Sequence, residues 1–150
     1  MTERLVAVVL AAGAGSRFGG GKLLASLGGR PVFQHVLDRL AEAGVSDVVV
    51  VLGDDAEAIE AAITWRAERR VRNPAPARGL SSSLRVGMQA VPDVADAVLI
   101  VLGDQPRVSA AAIQALTDAG VDAERPIAVP VYVGLVLAGG RSRRLGLDKG

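Results

Sequence analysis

The sequence contains no cysteine, one histidine, and only two Phe, one Trp and one Tyr among its 150 residues. Without cysteine the chain can form neither a disulfide framework nor a thiolate metal site, and one histidine cannot build a zinc cluster. So few aromatic side chains leave no stacking platform for RNA or single-stranded DNA. Any metal that this chain binds is therefore expected to have oxygen ligands.

The charged residues are nearly balanced, with 17 Lys and Arg against 16 Asp and Glu. This balance argues against a dedicated nucleic-acid surface. No run approaches the roughly 18 apolar residues of a membrane span, and the first residues lack the basic leader and cleavage site of a signal peptide. We therefore expect a cytoplasmic protein without membrane contact. Half of the residues are hydrophobic, which at this length predicts one substantial core rather than two complete domains.

The most informative stretch is the apolar run at 6–10 together with the glycine-rich segment that follows it. The run lacks polar alternation, which is typical of a central parallel strand covered on both faces by helices. From 11 to 21 the side chains are mostly small, so backbone amides can approach the oxygens of a ligand. Arg17 and Lys22 add positive charge, and this combination favours a triphosphate.

Two common phosphate-binding fingerprints do not fit this loop. A Walker-type loop requires a glycine where this chain has Ser16, and Ser or Thr where it has Leu23. A dinucleotide fingerprint that starts at Gly13 requires a third glycine at the position of Phe18. A dinucleotide-dependent oxidoreductase therefore stays a weaker alternative, kept open by Asp54 after the second strand.

The rest of the sequence alternates short apolar runs with helical patterns. This alternation predicts a three-layer α/β sandwich with a Rossmann-like, mostly parallel sheet. The helix at 31–44 has its polar face around His35, which we expect to be a surface residue outside any site. The predicted strands after the first are Val48–Leu52, 65–72 at an edge, Ala97–Leu102 and 126–132, and the predicted helices are 31–44, 56–63, one through Leu84 to Val91, and 109–119.

Asp104 follows the fourth strand in the string Gly-Asp-Gln-Pro. In an open parallel sheet, ligands gather at the carboxyl ends of the strands, which places Asp104 on the same edge as the glycine-rich loop. A carboxylate there can hold Mg²⁺ against triphosphate oxygens. The alternative is an aspartate that only forms a turn or caps a helix. The string VLGD occurs at 51–54 as well, where Asp54 or Asp55 can cap the next helix, but only the second copy continues with Gln-Pro.

The segment 73–84 reads NPAPARGLSSSL and leads from a loop into a helix. Free amides at a helix start can bind a ligand, whereas a serine there can simply cap the helix. Capping by one serine leaves the other two unexplained, so both interpretations stay open.

The opening motif resembles the LAAGxGxR…K signature of nucleotidyltransferases that share a Rossmann-like sheet. With GGGKLL, SSSL and GDQP, the sequence resembles the molybdenum cofactor cytidylyltransferases, within the wider molybdenum cofactor nucleotidyltransferase group, over roughly residues 5–131. The residues that match the opening signature are Leu10, Ala11, Ala12, Gly13, Gly15, Arg17 and Lys22.

The resemblance implies transfer of CMP from CTP to molybdenum-molybdopterin, with release of pyrophosphate and with Mg²⁺ as the cofactor. It implies catalytic roles for Arg17, Lys22 and Asp104, the last as the metal ligand, and contact with a molybdoenzyme or its chaperone. The implied nucleotide-binding residues are those of the opening signature together with Asn73, Gly79, Ser81 and Ser82.

Three alternatives stay open beside this assignment. The first is the same chemistry with GTP, as in guanylyltransferases, and the second is a sugar-phosphate acceptor. The third is a nucleotide-binding module without turnover, because the Gly-His-Pro segment and second acidic metal ligand of the group do not occur after residue 130.

Residues 133–150 repeat the opening motif. When Leu137 is set on Leu10, Arg144 falls on Arg17 and Lys149 on Lys22 without a gap. The repeat carries LDK, which resembles the guanylyltransferase branch of the group. We predict a nucleotidyltransferase-like domain at 1–132 that lacks its C-terminal part, followed at 133–150 by the start of a second nucleotide-binding motif; alternatively, the repeat supplies a strand to the first domain.

Overall fold

The structure is a computed structural model that describes residues 3–13, 21–122, 124–128 and 135–139. Two 3₁₀ helices span Lys22–Leu24 and Pro76–Arg78. The α-helices are α1 (Val32–Glu42), α2 (Ala56–Ala62), α3 (Leu80–Gln89) and α4 (Ala110–Ala119). The strands are β1 (Leu5–Ala11), β2 (Ser26–Leu27), β3 (Arg30–Pro31), β4 (Val48–Leu52), β5 (Arg69–Arg72), β6 (Ala97–Leu102), β7 (Ile127–Ala128) and β8 (Leu135–Gly139).

The main sheet has the strand order β5-β4-β1-β6-β8-β7. β5, β4, β1 and β6 are parallel, whereas β8 is antiparallel to β6 and to β7. β2 and β3 form a separate antiparallel hairpin. The mostly parallel α/β sheet expected from the sequence is therefore confirmed, with β1 in its interior.

The two faces of β1 serve two separate apolar layers because successive side chains of a strand point to opposite faces. Ala7, Val9 and Ala11 pack in one layer with α1, α2 and α4, including Phe33 of α1. Alternate residues such as Val8 pack in the other layer, against α3. Both faces are thus covered by helices, which explains the unbroken apolar run and confirms the three-layer sandwich.

Two predicted strands differ in length from those observed. The strand expected at 65–72 starts only at Arg69, because Trp65 packs edge-on against Phe33 with the ring centroids 6.2 Å apart. The Trp65 indole also donates a hydrogen bond to the carbonyl oxygen of Glu60. These contacts hold the chain against α1 and α2 before it joins the sheet edge. The strand expected at 126–132 is Ile127–Ala128, and residues 129–134 lie outside the described residues.

Two helix starts differ in how they are capped. Ser109 caps α4 by accepting a hydrogen bond from the Ala112 amide, and Gly120 ends that helix at a φ of 67°. Asp55, one of the two residues expected to cap α2, lies at the cap position but makes no cap hydrogen bond. Its Oδ1 is buried and has no hydrogen-bond partner among the described residues. No helix in the described part of the chain is long and apolar enough to cross a membrane.

The C-terminal repeat contributes to the same sheet. Its residues Leu135–Gly139 form β8, in which Leu137 pairs with Leu99 and Val136 with Ile100 of β6. The rest of the repeat, including Arg144 and Lys149, lies outside the described residues. The division into domains at residue 132 stays a prediction.

Candidate active site

Four parallel strands end together at one edge of the sheet, the carboxyl edge. Leu10 is in register with Leu102, and Ala11 with Leu52. Leu52 is in turn in register with Arg72, so β1, β4, β5 and β6 all end at one level. Ala12, Gly53, Asn73 and Gly103, which follow these strands, therefore share one rim of the sheet. Residues 14–20 of the glycine-rich loop lie outside the described residues, so its placement beside Asp104 stays a prediction.

Two glycines allow the neighbouring loops to approach the end of β1. A Cβ on Gly53 would lie 2.5 Å from the carbonyl oxygen of Ala12, and one on Gly103 would lie 3.1 Å from that of Leu10. Gly103 also donates its amide hydrogen to the Leu10 carbonyl. The repeated VLGD string thus has a structural cause that sequence reasoning missed, since each copy places a glycine against the backbone of β1. The repetition of this string in the sequence could have indicated that both glycines have the same structural role.

Lys22 is held at this rim by the short 3₁₀ helix that it begins. Gly21 precedes it at a φ of 76°, a left-handed conformation that favours glycine. Leu23 is buried in the layer formed with α1 and α2. The backbone of Lys22 is thereby fixed while its side chain stays exposed.

Lys22 and Asp104 form an ion pair across the site. The Lys22 Nζ lies 3.0 Å from Oδ2 of Asp104, although the two residues are separated by 82 positions in the sequence. The side chains keep 43% and 36% of their surface exposed, so both groups remain accessible to a ligand. The pair places a cation for phosphate oxygens beside a carboxylate suited to a divalent metal.

The loop between β5 and α3 is organised by a buried asparagine. Asn73 is 3% exposed, and its amide nitrogen donates to the hydroxyls of Ser82 and Ser83 at 2.9 and 3.0 Å. Its amide oxygen accepts from the Ala75 backbone, and the Ser82 hydroxyl bonds in turn to the Gly79 carbonyl. Asn73 and Ser82 are therefore engaged within the loop, and neither caps α3, whose first residue has no side-chain cap.

The other residues of the predicted nucleotide site fall into three groups. Leu10, Ala11 and Ala12 have buried side chains, so only their backbone can reach a ligand. Three more are exposed at the carboxyl rim, whereas two lie outside the described residues. The exposed ones are Gly13, Gly79 and Ser81, and those outside are Gly15 and Arg17.

A buried carboxylate beside this region was not predicted from the sequence. Asp38 of α1 forms ion pairs with Arg30 of β3 and with Arg66, and it accepts a hydrogen bond from Gln34. Burial by itself raises the pKa of Asp38, but the hydrogen bonds from Arg66 and Gln34 and the nearby charges outweigh burial and lower it. Gln34 also bonds to the backbone of Thr64. The cluster joins the hairpin that follows Lys22 to the segment before β5.

The acidic residues of the site are few in the described part of the chain, which fits a metal ion whose other ligands come from the bound substrate. Among residues 3–13, 21–122, 124–128 and 135–139, no group of three or more His, Cys, Asp or Glu is placed to hold a metal ion. Asp104 offers an accessible carboxylate next to Lys22. Mg²⁺ is commonly held by one or two carboxylates together with phosphates and water, so this donor set fits.

The fold and this rim of the sheet define the chain as a nucleotidyltransferase domain. Comparison with known proteins agrees, because the MobA-like NTP transferase domain matches residues 7–135. The chain belongs to this family. It is also 36% identical over 120 residues to the bifunctional protein GlmU of Sphingopyxis alaskensis, covering 79% of this chain and 26% of that protein. The chain thus spans about a quarter of the length of the curated relatives that it matches.

Solved structures resemble the chain at the level of the fold and of the sequence. Rv0371c from Mycobacterium tuberculosis superposes with a TM-score of 0.73 at 34% identity, covering 80% of this chain and 62% of that one. Its manganese complex gives 0.66 at 28% identity, with 81% and 66% covered. A nucleotidyl transferase from Methanothermobacter gives 0.71 at 30% identity, with 92% and 72% covered. CMP:2-keto-3-deoxy-manno-octonic acid synthetase complexed with CTP gives 0.64 at 26% identity, with 78% and 47% covered.

Proposed function

We propose that this chain carries out transfer of CMP from CTP to the terminal phosphate of molybdenum-molybdopterin, with release of pyrophosphate. The observation that carries the proposal is the 3.0 Å approach of Lys22 Nζ to Asp104 Oδ2 at the carboxyl rim. This contact brings together an ammonium group that can bind phosphate and a carboxylate that can bind a divalent metal. The choice of CTP and of the acceptor rests on the resemblance of GGGKLL, SSSL and GDQP to cytidylyltransferases.

The chemistry requires positioning and charge neutralisation rather than a general base. An oxygen of the acceptor phosphate attacks the α-phosphorus of CTP, and the bond between the α-phosphorus and the bridging oxygen breaks as pyrophosphate leaves. Lys22, with Arg17 from the same loop, binds the leaving phosphates and stabilises their growing charge. Asp104 holds Mg²⁺, which supplies a positive charge that lowers the repulsion met by the anionic nucleophile.

The metal assignment is supported by the accessible carboxylate and by the manganese complex of Rv0371c. The helix start at Gly79 and Ser81 is proposed to contact the base or ribose, because both residues are exposed at the same rim. Asn73 and Ser82 contribute to this contact by shaping the loop.

A second candidate is the same transfer to a sugar or sugar-acid acceptor. It is favoured by the likeness to the CMP:2-keto-3-deoxy-manno-octonic acid synthetase, whose structure contains CTP. The nucleotide half of the site serves either acceptor, so the two candidates differ only in the second substrate.

A pyrophosphate-release assay tests both candidates. The chain is incubated with Mg²⁺ and either CTP or GTP, and with molybdenum-molybdopterin, a sugar phosphate or a sugar acid. We expect release with CTP and the molybdopterin acceptor, and at least a 10²-fold lower rate for Asp104→Asn and Lys22→Met. Release only with a sugar phosphate or a sugar acid would favour the second candidate, and tighter binding of GTP by calorimetry would overturn the choice of CTP. If the chain binds nucleotide but releases no pyrophosphate with any acceptor, it is a nucleotide-binding module without turnover.

A further inference from the structure

Lys22 and a divalent cation require the same carboxylate. The Lys22 ammonium lies 3.0 Å from Oδ2 of Asp104. We propose that Lys22 competes with the divalent cation for Asp104, so that the lysine rests on the carboxylate and moves to the phosphates only when cation and nucleotide enter. This inference rests on the proposed function, in which Asp104 is the metal ligand.

The surrounding backbone permits such a movement of the side chain alone. The Gly103 amide donates to the Leu10 carbonyl beside Asp104, and buried Leu23 anchors the 3₁₀ helix of Lys22. The lysine ammonium is carried on a flexible four-carbon stem and rotates without changing this backbone. The exchange therefore needs no rearrangement of the backbone at Gly103 or Leu23.

The ion pair between Lys22 and Asp104 is weak enough for a ligand to displace it. Both side chains are more than one third exposed, and ion pairs of this kind are weak because water screens them. A lysine in place nevertheless both occupies the carboxylate and repels an incoming dication. Removing the ammonium should therefore tighten cation binding, by about three- to tenfold once screening by salt is allowed for.

The test measures Mn²⁺ binding by electron paramagnetic resonance, without nucleotide, to the full chain. Lys22→Met should bind Mn²⁺ about three- to tenfold more tightly than the unmodified chain, while binding CTP at least tenfold more weakly in calorimetry. Lys22→Arg keeps a cation that can bond to Asp104 and should stay within about twofold in Mn²⁺ affinity. Arg39→Met removes a cation from the ion pair with Glu42 and controls for net charge, so it should also stay within about twofold.

Asp104→Asn separates the failure of this inference from the failure of the proposed function. If Asp104→Asn binds Mn²⁺ as tightly as the unmodified chain both without and with CTP, the metal assignment itself is wrong. If Asp104→Asn loses Mn²⁺ but Lys22→Met binds it no more tightly, the competition is wrong and the metal assignment stands. Circular dichroism of each variant shows that it is folded before either comparison is made.

Discussion

A Cβ atom on Gly53 would lie 2.5 Å from the carbonyl oxygen of Ala12, closer than nonbonded atoms approach in folded proteins. The loop after β4 is thus in direct backbone contact with the end of β1. Because the obstacle is main chain, a side chain at position 53 forces the two loops apart. Gly53→Ala should lower the free energy of unfolding by about 2 kcal/mol, measured by urea denaturation.

Gly13→Ala is the matched control for this substitution. Gly13 comes after β1, and a Cβ there meets no atom of the described residues within 4 Å. Its free energy of unfolding should stay within about 0.5 kcal/mol of the unmodified chain. Equal effects of the two substitutions would show that the approach of Gly53 to Ala12 does not govern stability.

Gly87 allows α3 to pack closely on the sheet. A Cβ at this position would lie 2.4 Å from Val8 Cγ1 and 2.9 Å from Val51 Cγ2. Gly87→Ala gains about 1 kcal/mol in helix propensity. Overpacking costs about 1–3 kcal/mol, so the net effect should be destabilising.

A double-mutant cycle with Val8→Ala checks this cause. Val8→Ala removes the Cγ1 atom that a Cβ at Gly87 would meet, so Gly87→Ala should cost at least about 1 kcal/mol less in that background. If the two changes in the free energy of unfolding are strictly additive, contact with Val8 is not the cause of the destabilisation.

Asp38 should make stability depend on pH in the acidic range. Its pKa is lowered in the folded chain from an ordinary value of 3.8, so the unfolded chain binds the proton more tightly. The stabilisation is therefore complete above that value and is lost as the pH falls through the folded pKa. Asp38→Asn should lower the free energy of unfolding at pH 7 by about 2 kcal/mol and flatten its dependence on pH below 4, as measured by denaturation at several pH values. An unchanged acid dependence would show that other carboxylates account for it.

Asn73 is expected to stabilise the folded chain in the absence of nucleotide. Asn73→Ala removes hydrogen bonds to Ser82, Ser83 and Ala75 and should lower the free energy of unfolding by about 2–3 kcal/mol. Ser81→Ala, at an exposed position in the same segment, should change it by less than about 0.5 kcal/mol. Thermal unfolding without ligand measures both, and equal melting temperatures would contradict the proposed role of Asn73 in the loop.

Local patterns predicted the elements of the fold better than they predicted individual contacts. The apolar runs at Val48–Leu52 and Ala97–Leu102 became strands with those bounds, because a strand buried on both faces carries no polar residues. The strand expected from Trp65 came out shorter, because its start is decided by packing against Phe33, a residue far away in the sequence. The cluster around Asp38 was missed because Arg30 and Arg66 have no fixed spacing from it.

The sequence by itself determined the alternation of strands and helices, the small residues after β1, and the positions of Lys22 and Asp104 after two buried strands. These features follow from periodicity and backbone propensity, which act between near neighbours in the chain. Only the tertiary structure decided that the Lys22 ammonium contacts Asp104, that Gly53 contacts Ala12, and that residues 135–139 pair with β6. Such contacts depend on which strands lie side by side, and that choice is made by packing of the whole sheet.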